Sequence, residues 1–124
     1  MNISVLYASP SALPRVVPSP FCVLLDADDS DWSDDPPLIS AVRALLRAGC
    51  RYFVCFGSNS ENIHDRIDDV IVDGRFCGVT TTWHEDESEK DVAEFFQNCA
   101  TIGMRASVIL VRDQQRWSVA FSAI

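Results

Sequence analysis

The sequence predicts a single three-layer α/β/α domain on a mostly parallel sheet of about five to six strands. Three observations carry this prediction: continuous apolar runs of strand length, helical spacing of apolar residues between them, and turn residues at the boundaries. Strands buried on both faces are continuously apolar, and strands that alternate with helices form parallel sheets. A chain of 124 residues has the usual length of one domain, 1–124.

The first elements follow in order along the chain. Residues 2–7 are predicted to form a short strand, and the Pro-rich residues 8–20 an extended connection. The apolar run 21–25 is the first core strand, and an acidic loop, 26–35, follows it. Asp35 is placed to cap the next helix, whose apolar side chains recur at helical spacing.

The second half of the chain repeats this alternation. Residues 52–56 and 79–83 are predicted as the next two core strands, with a helix between them. Ser88 begins a capping sequence that opens a further helix, and residues 106–111 are the fourth core strand. Residues 117–121 alternate apolar and polar side chains, which predicts an antiparallel C-terminal edge strand.

The composition limits the classes of partner. The net charge is −8, which repels nucleic acid and anionic lipid and attracts basic proteins and cations. No apolar run approaches the ~20 residues of a membrane span, and the N-terminus lacks the basic start of a secretory signal. We therefore expect a cytoplasmic protein that binds neither nucleic acid nor membranes. The five cysteines form no C-x-x-C pair, which predicts reduced thiols in the core.

The predicted topology gives the domain an electrical polarity. Loops that follow parallel strands meet at one edge of the sheet. The acidic runs 26–35 and 84–89 follow strands, so we expect an acidic edge. The loops that lead into the strands carry arginines, so the opposite edge should be basic. These arginines are Arg47, Arg51, Arg75 and Arg105.

The first acidic run contains a sequence pattern that is typical of enzymes that transfer phosphoryl groups. Asp26-Ala27-Asp28 after a buried strand resembles the haloacid-dehalogenase-like phosphohydrolases. The resemblance implies Asp26 as nucleophile, Asp28 as acid/base, and a Mg²⁺ ion held by carboxylates. It also implies three further catalytic residues, Ser58, Lys90 and Asp113. The pattern is incomplete, because Ser30 stands where that family has Thr or Val, and Asp113 has no second acid beside it.

The second acidic run joins an aromatic ring, an imidazole and carboxylates at the end of a predicted strand. Acids that precede a helix stabilise its positive N-terminus. This effect alone would explain the acidic residues of the run, without any binding partner. The alternative is a partner-binding surface, with no metal. That surface would comprise Trp83, His84, Glu85, Asp86 and Glu87 from this run and Asp28, Asp29, Asp31 and Trp32 from the first.

The run Thr81-Thr82-Trp83-His84-Glu85-Asp86-Glu87, with a helix that ends near Cys99-Ala100, is similar to a small bacterial family of unknown function. The stretch from Gly49 through Gly57 is similar as well. The resemblance covers residues 21–112, implies a common fold and points to Trp83–Glu87 as a common patch. It implies no reaction, because the family has no established activity. The family pattern lacks the Asp26-x-Asp28 pair, which counts against phosphohydrolase chemistry.

These patterns together predict a non-catalytic acidic module that binds a basic protein and needs no cofactor. Immunity proteins that neutralise bacterial toxins are small acidic domains of this kind, and a cognate toxin would then be the partner. The alternative is a Mg²⁺-dependent phosphohydrolase that uses Asp26 and Asp28. The incomplete catalytic set favours the binding module.

Overall fold

The computed structural model describes residues 4–124, so the first two residues of the predicted strand 2–7 lie outside the described residues. One parallel sheet has the strand order β1-β5-β2-β3-β4. The strands are β1 (Ser4–Ala8), β2 (Phe21–Asp26), β3 (Cys50–Phe56), β4 (Thr80–His84) and β5 (Ala106–Leu110). The helices are α1 (Asp35–Ala48), α2 (Ser60–Asp73), α3 (Glu89–Phe95), which continues as a π-helix (Phe96–Ala100), and α4 (Gln114–Ser122).

The predicted three-layer architecture is confirmed. Helices α1 and α2 cover one face of the sheet, where Phe21, Val23 and Leu25 of β2 point. The π-helix, α3 and α4 cover the other face, where Cys22 and Leu24 point. This alternation explains why β2 is apolar at successive positions. In the described part of the chain, no helix is long and apolar enough to cross a membrane.

The predicted antiparallel edge strand 117–121 is wrong, and the sheet is parallel throughout. The segment lies in α4, where Trp117 and Ala120 are buried three residues apart and Val119 is 63% exposed. Its apolar residues fit both the two-residue period of a strand and the period of about 3.6 residues of a helix, so their alternation alone does not distinguish the two structures. The cap decides: the Asp113 side chain accepts a hydrogen bond from the Arg116 N–H at 3.0 Å, which starts a helix.

The order of the strands creates one crevice at the carboxyl edge of the sheet. From β2 the chain moves outward to β3 and β4, and then returns through α3 to β5 on the other side of β2. The connections that leave β2 and β5 therefore diverge, and open α/β sheets bind ligands at such a switch point. The loop 26–35 and the segment 111–113 lie at this position.

Candidate functional site

Asp26 ends β2 at the switch point, and both of its carboxylate oxygens have partners. One accepts a hydrogen bond from the Asp28 N–H at 3.0 Å, and the other lies 3.4 Å from Arg116 Nη1. Burial raises the pKa of the Asp26 carboxyl, although the Asp28 N–H and the Arg116 charge oppose that shift. The side chain is buried, so its carboxylate faces the protein more than the solvent.

Asp28 is fixed to the turn that opens α2. Its carboxylate accepts hydrogen bonds from the Ser58 N–H at 3.0 Å, the Ser58 hydroxyl at 3.1 Å and the Asn59 N–H at 2.9 Å. Gly57 permits this approach, because a Cβ there would lie 2.6 Å from Asp28 Oδ2 and its φ is +116°. A carboxylate of the chain itself therefore takes the N–H groups that an anionic ligand would use.

Arg112 binds two more acids of the first run. Its Nε lies 2.6 Å from Asp31 Oδ2 and its Nη2 lies 3.0 Å from Asp31 Oδ1, which is the bidentate geometry of a strong ion pair. The Arg112 N–H also donates to Asp29 Oδ2 at 3.1 Å. Hydrogen bonds from Arg112 lower the pKa of the Asp31 carboxyl, whereas burial raises the pKa of Asp29.

Arg116 neutralises the acids on the other side of the switch point. Its guanidinium lies beside Asp26 and donates from Nε to Glu89 Oε1 at 2.8 Å. The hydrogen bond from Arg116 lowers the pKa of Glu89. Neither arginine was predicted at this edge, because the segment that follows them, residues 117–121, was predicted as an edge strand and not as a helix. The Asp113 cap was the signal that could have placed them on a helix.

The proposed phosphohydrolase residues therefore lie near one another, but most have other partners. Ser58 is bonded to Asp28. Lys90 and Asp113 line one shallow surface cleft with Arg116. Among residues 4–124, the acids of the switch point do not group as three ligands around one point, and the group that does consists of His64, Asp65 and Asp68.

Trp32 does not lie on the surface, although it was predicted as a partner-binding residue of a mobile loop. Its indole is 1% exposed and packs in the core beneath α1 and α2. Arg66 Nη1 donates to the Trp32 carbonyl at 3.0 Å and so ties this loop to α2. In this conformation Trp32 stabilises the loop and offers no side-chain surface to a partner.

Trp83 lies on β4, a strand at one edge of the sheet, and is 45% exposed. Its indole packs on His64 of α2, with ring centroids 4.6 Å apart. The imidazole of His64 is fixed by Asp65 at 2.9 Å and by Asp68 at 3.4 Å. The Thr81 hydroxyl donates to Asp68 at 2.6 Å, so α2 and β4 together hold this pair of rings. The sequence analysis did not connect His64 with Trp83.

His84 lies on the opposite face of β4 and is buried. Its Nδ1 lies 2.9 Å from Glu87 Oε2, its Nε2 lies 3.0 Å from the Thr82 hydroxyl, and its ring stacks near Phe95 at 4.7 Å. Glu87 thus orients an imidazole and is not free for a partner. Among the five residues of the common patch, His84 is buried and the other four are exposed, although the Glu87 carboxylate is bound to His84.

The outer edge of β4 has unpaired backbone groups. The Gly57 N–H donates to the His84 carbonyl at 3.2 Å, so the backbone of His84 faces β3. Because successive residues of a strand face opposite sides, Thr81 and Trp83 direct their N–H and C=O groups away from the sheet. The strand contains no proline and no lysine, the residues that commonly protect an edge.

The two acidic runs differ in their neighbours. Arginines form ion pairs with Asp26 and Asp31 of the first run. The acids around β4 have no such partner: in the described residues, Glu85 and Asp86 form no ion pair, and Asp65 and Asp68 form ion pairs only with His64. We call the following set the β4 surface: Thr81 and Trp83 with Asp65, Asp68, Glu85 and Asp86.

The chain is similar to one family of proteins. A model described as "Domain of unknown function (DUF7684)" matches residues 3–120. Neither the curated proteins nor the solved structures contained a match. The similarity to an uncharacterised family without established activity is thereby confirmed, and the chain belongs to the DUF7684 family.

Proposed function

We propose that the protein is a non-catalytic module that binds a basic protein through the β4 surface. The observation that supports this function is the exposed indole of Trp83 on an open edge strand, among carboxylates that no arginine or lysine of the described chain neutralises. The proposal includes a cytoplasmic location, which the five free thiols favour.

The β4 surface combines three means of recognition. Tryptophan is enriched among the residues that contribute most to binding, and its face attracts an arginine or lysine side chain. The outward N–H and C=O groups of Thr81 and Trp83 can pair with an extended segment of the partner. Unpaired carboxylates accelerate the approach of a basic protein over distances of about 8–10 Å at physiological salt.

The acids of the first run fit this role less well. Asp28, Asp29 and Asp31 hold three connections of the chain together, so a partner would have to compete with those hydrogen bonds. We therefore assign the partner surface to the second run and give the first run a structural role.

A bacterial toxin is the partner class that we propose, which makes the protein an immunity protein. The test is native mass spectrometry of the chain co-expressed with the product of its neighbouring gene. A one-to-one complex is expected, and the double variant Glu85→Gln/Asp86→Asn should weaken it about tenfold or more and reduce the salt dependence of association.

A matched control variant removes the same number of negative charges at positions away from β4. The variant Asp34→Asn/Asp73→Asn removes two exposed carboxylates that form no ion pair with a described residue. It should bind like the unmodified chain. If both double variants weaken the complex equally, net charge and not the β4 surface directs binding. A chain that stays alone in the presence of the neighbouring product contradicts the toxin assignment for that gene pair.

The alternative function is Mg²⁺-dependent phosphohydrolysis with Asp26 as nucleophile. The nearness of Asp26, Asp28 and Ser58 favours it, whereas the hydrogen bonds that occupy Asp28 count against a free acid/base. Hydrolysis of an aryl phosphate with Mg²⁺ tests it directly. Activity that disappears in Asp26→Asn would replace the binding proposal with this one.

A further inference from the structure

A large apolar cleft lies far from β4, on the other edge of the sheet. Its volume is about 620 Å³. Val5, Tyr7 and Ile109 form its floor on β1 and β5, while Phe96 of the π-helix and Phe121 of α4 form its walls. This volume is within the range of about 300–1,000 Å³ that holds small-molecule ligands.

The cleft exists because the helices on this face of the sheet cover β1 only in part. Leu6 and Ala8 pack against the core beneath α1 and α2. Their neighbours point to the opposite face, where Val5 remains 55% exposed and Tyr7 38% exposed. Strands of a parallel sheet are normally covered on both faces, so an apolar floor open to solvent indicates a site for another molecule.

One charged group borders this cleft. Arg105 immediately precedes β5, and its guanidinium has no hydrogen bond or ion pair with another residue in 4–124. An arginine beside an apolar cavity is complementary to a ligand with an apolar body and an anionic head, since guanidinium pairs with carboxylate in two parallel hydrogen bonds.

We propose that this cleft binds a small hydrophobic monocarboxylate of the fatty-acid type. Its hydrocarbon chain lies on Val5, Tyr7 and Ile109, and its carboxylate pairs with Arg105. The π-helix that supplies Phe96 agrees with this assignment, because π-helical turns occur frequently at functional sites. The site is independent of the β4 surface and of any protein partner.

The net charge of −8 does not prevent an anion from binding here. Arg105 lies at the amino end of β5, whereas the acidic runs follow the carboxyl ends of the strands. The five residues of β5 span about 16 Å, which is about twice the distance over which charges act at physiological salt. The acidic runs therefore lie too far from the cleft to cancel the charge of Arg105.

Titration of the ¹⁵N-labelled 124-residue chain with decanoate tests the assignment. Saturable shifts of the amides around the cleft are expected, with Thr80–His84 unaffected. Arg105→Gln should weaken decanoate binding about tenfold or more, because the charge-assisted pair with the carboxylate is lost, and leave decan-1-ol binding unchanged. The backbone hydrogen bond from Arg105 to Pro20 remains in this variant, so the fold should persist.

A second variant fills the cleft without touching the arginine. Val5→Trp places a large side chain on the floor and should abolish binding of both probes. Val72→Trp, at an equally apolar and 73% exposed position of α2, is the matched control and should bind like the unmodified chain. Absence of shifts at the cleft, or equal decanoate affinity in all four proteins, would overturn the proposal. Loss of the cleft in a concentration-dependent dimer would overturn it as well.

Discussion

Asp28 and Ser58 join the loops that follow β2 and β3. The Asp28 carboxylate accepts both the N–H of Ser58, at 3.0 Å, and its hydroxyl, at 3.1 Å. A third bond from the Asn59 N–H, at 2.9 Å, makes Asp28 a cap for the start of α2 from a residue that lies far earlier in the chain.

We expect Asp28→Ala to lower the free energy of unfolding by about 1–2 kcal/mol, the usual cost of losing a helix-capping side chain. Urea denaturation at neutral pH measures it. Asp34→Ala is the control, because Asp34 precedes α1 without a side-chain capping bond, and a change below about 0.5 kcal/mol is expected there. Equal losses in the two variants would show that Asp28 is not a cap.

Asp26 should make the protein less stable as the pH rises. Burial raises its pKa above the unfolded value of about 3.9, so between these two values the folded chain binds more protons than the unfolded chain. Stability then falls with increasing pH in that window. Asp26→Asn keeps an oxygen for the Asp28 N–H and removes the ionisation, so its stability relative to the unmodified chain should rise as the pH increases above about 3.9 and level off above the raised pKa of Asp26.

Asp31 provides a control for the same denaturation experiments, because its effect on the pH dependence of stability has the opposite sign. Arg112 lowers the pKa of Asp31, so this carboxylate contributes stability above about pH 3.9 that is lost as the pH falls through its folded value. The relative stability of Asp31→Asn should therefore decrease as the pH rises toward about 4 and stay constant above it. Parallel curves for the two variants would contradict both assignments.

The direction of the backbone N–H groups in β4 predicts that proline substitutions at two adjacent positions differ in their effect on the free energy of unfolding. The N–H of Thr81 points away from the sheet, so Thr81→Pro removes no bond to β3. The N–H of Thr82 points to β3, so Thr82→Pro should cost about 3 kcal/mol or more. Thr81→Val accounts for the lost hydroxyl contact with Asp68. Urea denaturation of the three variants measures the difference, and similar losses in both prolines would place β4 in another register.

The cysteines should react in two classes. Cys77 and Cys99 are exposed, whereas Cys22, Cys50 and Cys55 are buried. Burial raises the pKa of Cys22 to about 12 and raises the pKa values of Cys50 and Cys55 as well, so these thiols carry almost no reactive thiolate at neutral pH. Mass spectrometry after brief alkylation of the folded chain should show two modifications, and all five after denaturation.

The sequence was sufficient for those parts of the fold that depend on local pattern. The positions of the four predicted core strands and the Ser88 cap, which accepts the Asp91 N–H at 3.1 Å, were predicted correctly, but β4 lies at the edge of the sheet and not in the core. Cys99 was expected on a buried face and is exposed, because the helix widens to a π-helix at Phe96 and rotates the residues that follow.

The candidate sites depend on contacts between distant residues, and these have no local signature. Arg112 reaches Asp31 across 81 positions of the sequence. The pair of Trp83 and His64 forms between β4 and α2, and the apolar cleft combines β1 with α4. The acidic runs were therefore visible in the sequence. Only the structure shows that arginines pair with acids of the first run and that the acids around β4 have no such partners.

The sequence of the C-terminal segment fits both an edge strand and a helix, and substitutions in it distinguish the two structures clearly. In an edge strand, Trp117, Val119 and Phe121 would share the buried face; in α4, Trp117 and Ala120 are buried and Val119 is exposed. Val119→Asp should therefore change the free energy of unfolding by less than about 0.5 kcal/mol. Trp117→Ala should cost about 3–5 kcal/mol, because it leaves a cavity beside Phe56, whose ring centroid lies 5.0 Å away. A large loss in Val119→Asp, measured by the same urea denaturation, would restore the strand and remove one wall of the proposed fatty-acid cleft.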